Sequence, residues 1–293
     1  MKRVAFGLMA GLAGLAMPAC GDTSAAAAAG WALGAGAETP DEANWRPVDP
    51  QHLLVFETTK GRILVEVFPD VAPKHYDQFT KVIRSGDLDG TTFHRVIDDF
   101  MAQGGDVYTM KGEDPGWPGI PGEFTFRRDV AAMPLDAVIG PEDTGKMGYL
   151  RGFPILTQPT FFAEMSADGL VSSSIPHCQG VLSTARTSDP NSADTQFFLM
   201  REHSPHLDKQ YTSWGRVIAG QTVVKALKKG EPGSGAVEDP DLLTSIRIAA
   251  DMPEGQRPEA WVLRTDTEAF AAELATKGEV DVCSLPAIPA IVK

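Results

Sequence analysis

The chain has 293 residues, 43% of them hydrophobic and 22% charged, which suits one or two globular domains with a sizeable core. With 39 acidic against 26 basic side chains the net charge is -13. That charge repels the phosphates of nucleic acid and of anionic lipid, so a nucleic-acid role is set aside and the charge is read as a source of solubility.

Lys2 and Arg3 precede an apolar stretch from Val4 to Met17, and small residues follow at Ala19 and Cys20. This is the pattern of an export signal over residues 1–20, too short to span a bilayer. Leu15-Ala16-Met17-Pro18-Ala19-Cys20 resembles a bacterial lipobox, whose cysteine becomes the lipidated first residue. Met17 and Pro18 depart from that pattern. Lipid attachment at Cys20 and plain cleavage into the periplasm both stay open, and the only membrane contact expected is through such an anchor. Cys178 and Cys283 remain as an even pair in an oxidising compartment, as a disulfide or as two buried thiols. Residues 21–50 are rich in Ala, Gly and Pro, with an unbroken Ala25 to Ala29, and read as a flexible linker.

From residue 51 the pattern changes. Val55, Glu57 and Thr59, a Lys60-Gly61 turn, then Ile63, Val65 and Val67 in alternation predict a β-hairpin. Pro73 suits a first helical position, Tyr76, Phe79, Val82 and Ile83 follow at helical spacing, and Ser85-Gly86 ends the run. Val223, Val224 and Leu227 mark a second short helix that Gly230 stops, and Ser245 to Ala249 returns to strand alternation. Short strands with two covering helices point to a mainly β fold, a closed or nearly closed antiparallel barrel. The stretch from Val107 to Gln179 has little periodicity. Extra material at about 127–179 reads as a long loop insertion, a lid, a docking surface or a tolerated addition. Residues 253–293 form a C-terminal extension with a short helix near Phe270 and Leu274, and no pattern is legible from Val280 onward.

Two segments carry the chemistry. Phe93-His94-Arg95-Val96-Ile97-Asp98-Asp99-Phe100-Met101-Ala102-Gln103-Gly104-Gly105-Asp106 is one; Gly180-Val181-Leu182-Ser183 leading to Thr195-Gln196-Phe197-Phe198 is the other. They resemble the two signature segments of cyclophilins, a family of peptidyl-prolyl cis/trans isomerases, and the resemblance spans roughly residues 53–110 and 180–250. It implies a closed antiparallel eight-stranded barrel capped by two helices over residues 51–252. It also implies a monomer that turns Xaa-Pro bonds in exported or unfolded proteins with no cofactor or metal.

The reaction asks for little more than a well-placed donor. Resonance gives the peptide C–N bond its rotation barrier, and uncatalysed prolyl isomerisation takes tens to hundreds of seconds. A twisted bond leaves a lone pair on the prolyl nitrogen. A fixed donor aimed at it binds the twisted state better than either planar one, without a covalent step. Arginine suits the task because its guanidinium stays charged and presents a rigid fork of donors.

By the resemblance, Arg95 is that donor. Phe100, Met101, Phe198 and Leu207 match the apolar proline pocket, and Gln103 and Gln196 match side chains that face the substrate. Ala185 keeps the family's type. Arg186 stands where the family has an asparagine whose backbone contacts the substrate, His206 replaces a tryptophan tied to tight cyclosporin binding, and Tyr211 replaces a histidine at the pocket border. Strand alternation sets His94 on the face opposite Arg95, as a structural residue. Those three departures keep a second reading open, a non-catalytic binding module or chaperone for proline-containing segments. The six histidines form no compact metal motif, Ser183 lacks a nucleophile elbow, and Gly230 to Gly235 lacks the lysine and hydroxyl of a phosphate loop.

Overall fold

The computed structural model describes residues 31–34, 36–141 and 144–293. The expected export signal over residues 1–20, with Cys20, and the run Ala25 to Ala29 lie outside them. The main sheet has eight strands, numbered here in chain order: β1 (Leu53–Thr58), β2 (Gly61–Val67), β3 (Arg95–Val96), β4 (Met101–Gly104), β5 (Val181–Thr184), β6 (Phe197–Met200), β7 (Ser213–Ala219) and β8 (Leu243–Ile248). All pairings are antiparallel, in the order β8-β1-β2-β7-β5-β6-β4-β3.

The closed barrel expected from the sequence is corrected to a curled, open sheet. Its edges are β8 and the two-residue β3, and between them run only single bridges, Thr92 to Leu242 and Arg95 to Ala236. Backbone bonds from the loop before β8, such as Val96 N–H to the Gly235 carbonyl at 2.8 Å, cover the β3 edge. A covered edge is satisfied without a continuous ladder.

The predicted hairpin and first helix form where the local signals put them. β1 and β2 pair across Thr58 and Gly61, and the helix runs Pro73–Ser85, stopped by Gly86 at φ 78°. Its inward face is His75, Phe79, Val82 and Ile83, so His75 takes the place expected for Tyr76. Phe79 meets Trp214 with ring centroids 4.9 Å apart. Each such buried apolar side chain stabilises the fold by about 1.5–3 kcal/mol. No side chain of the preceding residue caps this helix. Instead Glu123 accepts from the amides of Lys74 (3.1 Å) and His75 (3.0 Å) and lies 2.7 Å from His75 Nδ1, satisfying donors that a helix start leaves open. Burial would raise the Glu123 carboxyl, but the bonds from His75 and these amides outweigh it and hold the group below its ordinary range.

The segment read as a loop insertion carries a sheet of its own. Phe126–Arg128, Val171–Ser174, Phe153–Thr157, Met147–Leu150 and Ala137–Ile139 pair in that order. A third sheet joins Trp45–Pro47, Ala260–Leu263 and Ala290–Val292. The flexible linker expected at 21–50 is therefore corrected over its described part: Trp31 and Trp45 are buried, and Trp45 pairs with Leu263. Trp31 stacks on Phe270 of the helix Glu268–Ala275 at 4.7 Å and meets Tyr149 of the insertion edge-on at 6.2 Å. Trp31, the helix Glu268–Ala275 and the insertion thus share one apolar cluster. The unreadable tail contributes Cys283, which is disulfide-bonded to Cys178.

Candidate active site

Residues directly opposite one another in an antiparallel sheet project to the same face. Gln103 on β4 lies opposite Arg95 on β3 and opposite Phe198 on β6, and Phe198 lies opposite Ser183 on β5. One ladder line therefore delivers a guanidinium, an amide and an aromatic ring side by side, while Met101, two residues before Gln103, adds a thioether to that face. Gly105 makes the turn after β4. At φ 81°, a Cβ there would sit 2.7 Å from the Thr195 carbonyl oxygen, and Thr195 Oγ1 donates to the Gly105 carbonyl at 2.9 Å. A side chain at this position would part β4, which carries Gln103, from the segment that enters β6 through Thr195 and Gln196.

The Arg95 guanidinium is held from several sides. Its Nε donates to the Ser234 carbonyl at 3.0 Å, its Nη1 lies 3.4 Å from Gln103 Oε1 and 3.9 Å from Met101 Sδ, and its carbon sits 6.0 Å from the Phe100 ring centroid. Nη2 makes no hydrogen bond to the described residues. Gln103 Nε2 donates to Gln196 Oε1 at 3.0 Å, and the Gln196 carbonyl accepts from the Ala185 amide at 2.9 Å. All the catalytic and substrate-binding residues that the resemblance implies except Gln196 line one cavity of about 440 Å³, and Gln210 joins them. No sequence signal pointed to Gln210; its carbonyl accepts from Arg186.

On the rim His206 stacks on Phe100 at 5.5 Å, and Tyr211 meets Phe198 edge-on at 5.9 Å. His94 does not line the cavity. Its Nδ1 is buried without a hydrogen-bond partner among the described residues, and burial holds the imidazole below its ordinary pKa.

A family model described as cyclophilin type peptidyl-prolyl cis-trans isomerase/CLD matches residues 53–249. The chain belongs to this family. A probable peptidyl-prolyl cis-trans isomerase of Brucella abortus (strain 2308) is 35% identical over 204 residues, 69% of this chain and 85% of that protein. A peptidyl-prolyl cis-trans isomerase of Arabidopsis thaliana is 30% identical over 182 residues, 62% of this chain and 86% of that one. The crystal structure of cyclophilin AquaCyp293 from Hirschia baltica shares 46% identity and a TM-score of 0.80, covering 85% of this chain and 94% of that one. The protein is a cyclophilin and a peptidyl-prolyl cis-trans isomerase.

The pocket floor of this cyclophilin rests on a buried polar network that sequence reasoning missed. His177 lies under Phe198, rings 6.0 Å apart and nearly parallel. Its backbone N–H and its Nδ1 reach Asp208 Oδ1 at 2.7 and 2.9 Å, and its Nε2 lies 3.1 Å from the hydroxyls of Ser183 and Ser213. A carboxylate only accepts, so Nδ1 carries the proton. Ser183 donates to the Thr212 carbonyl, which leaves Ser213 to donate to Nε2. Burial outweighs the pull of Asp208 and keeps the His177 pKa low, consistent with this neutral tautomer. Ser183 is fully buried, so it is a structural hydroxyl. Elsewhere, His203, Asp281 and Cys283 approach within 4.8 Å of one another, but the Cys283 sulfur is committed to the disulfide and offers no thiolate.

Proposed function

We propose that this cyclophilin turns Xaa-Pro bonds by non-covalent stabilisation of the twisted imide, with Arg95 as the donor to the prolyl nitrogen. The observation that carries this reading is the state of the Arg95 guanidinium. It is fixed by the Ser234 carbonyl and Gln103, with its carbon 6.0 Å from the Phe100 ring centroid, while Nη2 stays uncommitted among the described residues. A donor whose orientation is set before the substrate arrives needs no reorganisation as the bond twists. Phe100, Met101, Phe198 and Leu207 give the proline ring an apolar seat. Gln103, Gln196 and the backbone at Ala185 and Arg186 hold the peptide, and His206 and Tyr211 border it. The test is exchange NMR on an Ala-Pro peptide with the wild type and Arg95→Ala. The variant should remain folded and lose about 10²–10³ in kcat/KM, whereas unchanged turnover would remove Arg95 from the mechanism.

We infer further that its substrates are exported proteins in the cell envelope, on the periplasmic side. The signal pattern of residues 1–20 and the Cys178–Cys283 disulfide support this, since disulfides persist in oxidising compartments. Attachment through a lipidated Cys20 is read from the lipobox-like run alone. Mass spectrometry of the mature protein from membranes tests it, an acylated N-terminal cysteine being the expected product and a cleaved, unmodified N-terminus the result against it.

A further inference from the structure

The chain is acidic, yet its pocket is not. Among the described residues the lining holds two guanidiniums, Arg95 and Arg186, and the imidazole of His206, and no carboxylate. Among the described residues neither arginine is ion-paired, while others such as Arg62, Arg84, Arg201 and Arg247 each meet an Asp or Glu. Charge complementarity acts within a Debye length, about 8–10 Å, so the local sign of a cleft can oppose the net charge of the molecule.

Arg186 is also fixed in place. Nε and Nη2 donate to the Gln210 carbonyl at 3.1 and 2.9 Å, and Nη1 donates to the Thr187 carbonyl at 2.7 Å. The group lies over the Tyr211 ring at 4.4 Å and near Phe124 at 5.5 Å. Of five guanidinium N–H groups, three are spent on carbonyls, which leave the charge intact, and two remain. The side chain is half-buried, and its neighbour Tyr211 touches Phe198 on the pocket floor. A cation held still on a partly desolvated rim attracts a carboxylate more strongly than a mobile surface arginine does, because little ordering entropy is lost on contact.

We propose that this pocket selects Xaa-Pro segments bearing an Asp or Glu next to the proline, and that Arg186 is the specificity-determining residue that reads the carboxylate. The inference rests on the isomerase reading of the same pocket. Arg95 adds to the positive field, and Arg186 supplies the discrimination.

Two peptide series test it by exchange NMR, one with Glu, Gln or Lys before the proline and one with the same residues after it. In at least one series the Glu peptide should exceed the Lys peptide about five- to ten-fold in kcat/KM, mostly through KM, as expected for a held but solvated charge pair. Raising the salt from 0.05 to 0.5 M should shrink that ratio. Arg186→Gln should bring it within about two-fold, and Arg186→Lys should keep part of it. The ratio is internal to each variant, so a general loss of activity does not disturb it. Equal Glu and Lys turnover by the wild type in both series would overturn the proposal, as would a ratio that survives Arg186→Gln. Absence of turnover of the neutral Gln peptides would instead strike the mechanism on which the proposal rests.

Discussion

Arg95 and Gln103 face each other across the β3–β4 pair, with Nη1 3.4 Å from Oε1, and the same Gln103 amide donates to Gln196. Gln103 therefore sets the guanidinium and links it to the opposite wall. Gln103→Ala should lower kcat/KM about 5- to 10-fold, the scale of one modest hydrogen bond. Arg95→Lys should fall close to Arg95→Ala, since the three donors of an ammonium all leave one nitrogen on a flexible stem and do not span Ser234 and the prolyl nitrogen as a rigid guanidinium fork does. Steady-state isomerisation assays on both variants check this. An Arg95→Lys enzyme with near wild-type activity would show that charge alone suffices.

The stacked pair His206 and Phe100 leads to a second expectation. The tryptophan tied to cyclosporin binding in the resemblance is absent, and an imidazole on Phe100 offers less apolar area. Cyclosporin should inhibit weakly. Nanomolar inhibition of the purified protein would contradict this.

The insertion is predicted to be part of the core. Phe153 is buried, packs on Phe68 at 5.0 Å and lies 4.9 Å from the Arg216 guanidinium, which is itself bonded to Glu66 on β2. Phe153→Ala should destabilise the whole protein by about 3–5 kcal/mol, read as a single shifted urea transition. A separate early transition, with the main one unmoved, would mark the insertion as an independent appendage.

The disulfide closes residues 105 apart in sequence. The double variant Cys178→Ser with Cys283→Ser should lose about 2–5 kcal/mol, chiefly because the unfolded chain regains the freedom that the bond removes. Equal denaturation midpoints for the wild type with and without reductant would argue against that contribution.

Stability should fall between pH 7 and 5. Burial holds the imidazoles of His177 and His94 below their ordinary 6.5. Between the lowered folded value and 6.5 the unfolded chain binds more protons, so stability drops as pH falls through that window and is complete above it. Glu123, whose pKa lies below its ordinary 4.5, contributes only at lower pH. Asp136, raised by burial, has the opposite sign, so the comparison is made against His177→Gln. That variant should show a shallower dependence of its urea midpoint on pH, and an unchanged slope would mean that His177 is not the group responsible.

Local signals were legible because their causes are local. The β1–β2 hairpin follows from alternation around Lys60-Gly61, the helix Pro73–Ser85 from its spacing, its leading proline and its closing glycine. The segment from Phe93 to Asp106 brought Arg95, Phe100, Met101 and Gln103 to notice through its resemblance to a cyclophilin signature, carried in one continuous run. The tertiary structure decided what depends on partners far away in the chain. Trp45 is a strand residue because Leu263 pairs with it. Tyr149 is core because Trp31 and Phe270 enclose it. The main sheet stays open because the loop before β8 satisfies the β3 edge. His177 supports the pocket because Asp208, Ser183 and Ser213 converge on it. Such contacts leave no period and no spacing in the sequence. They are fixed only when burial forces each polar group to find a partner and each apolar face to find another.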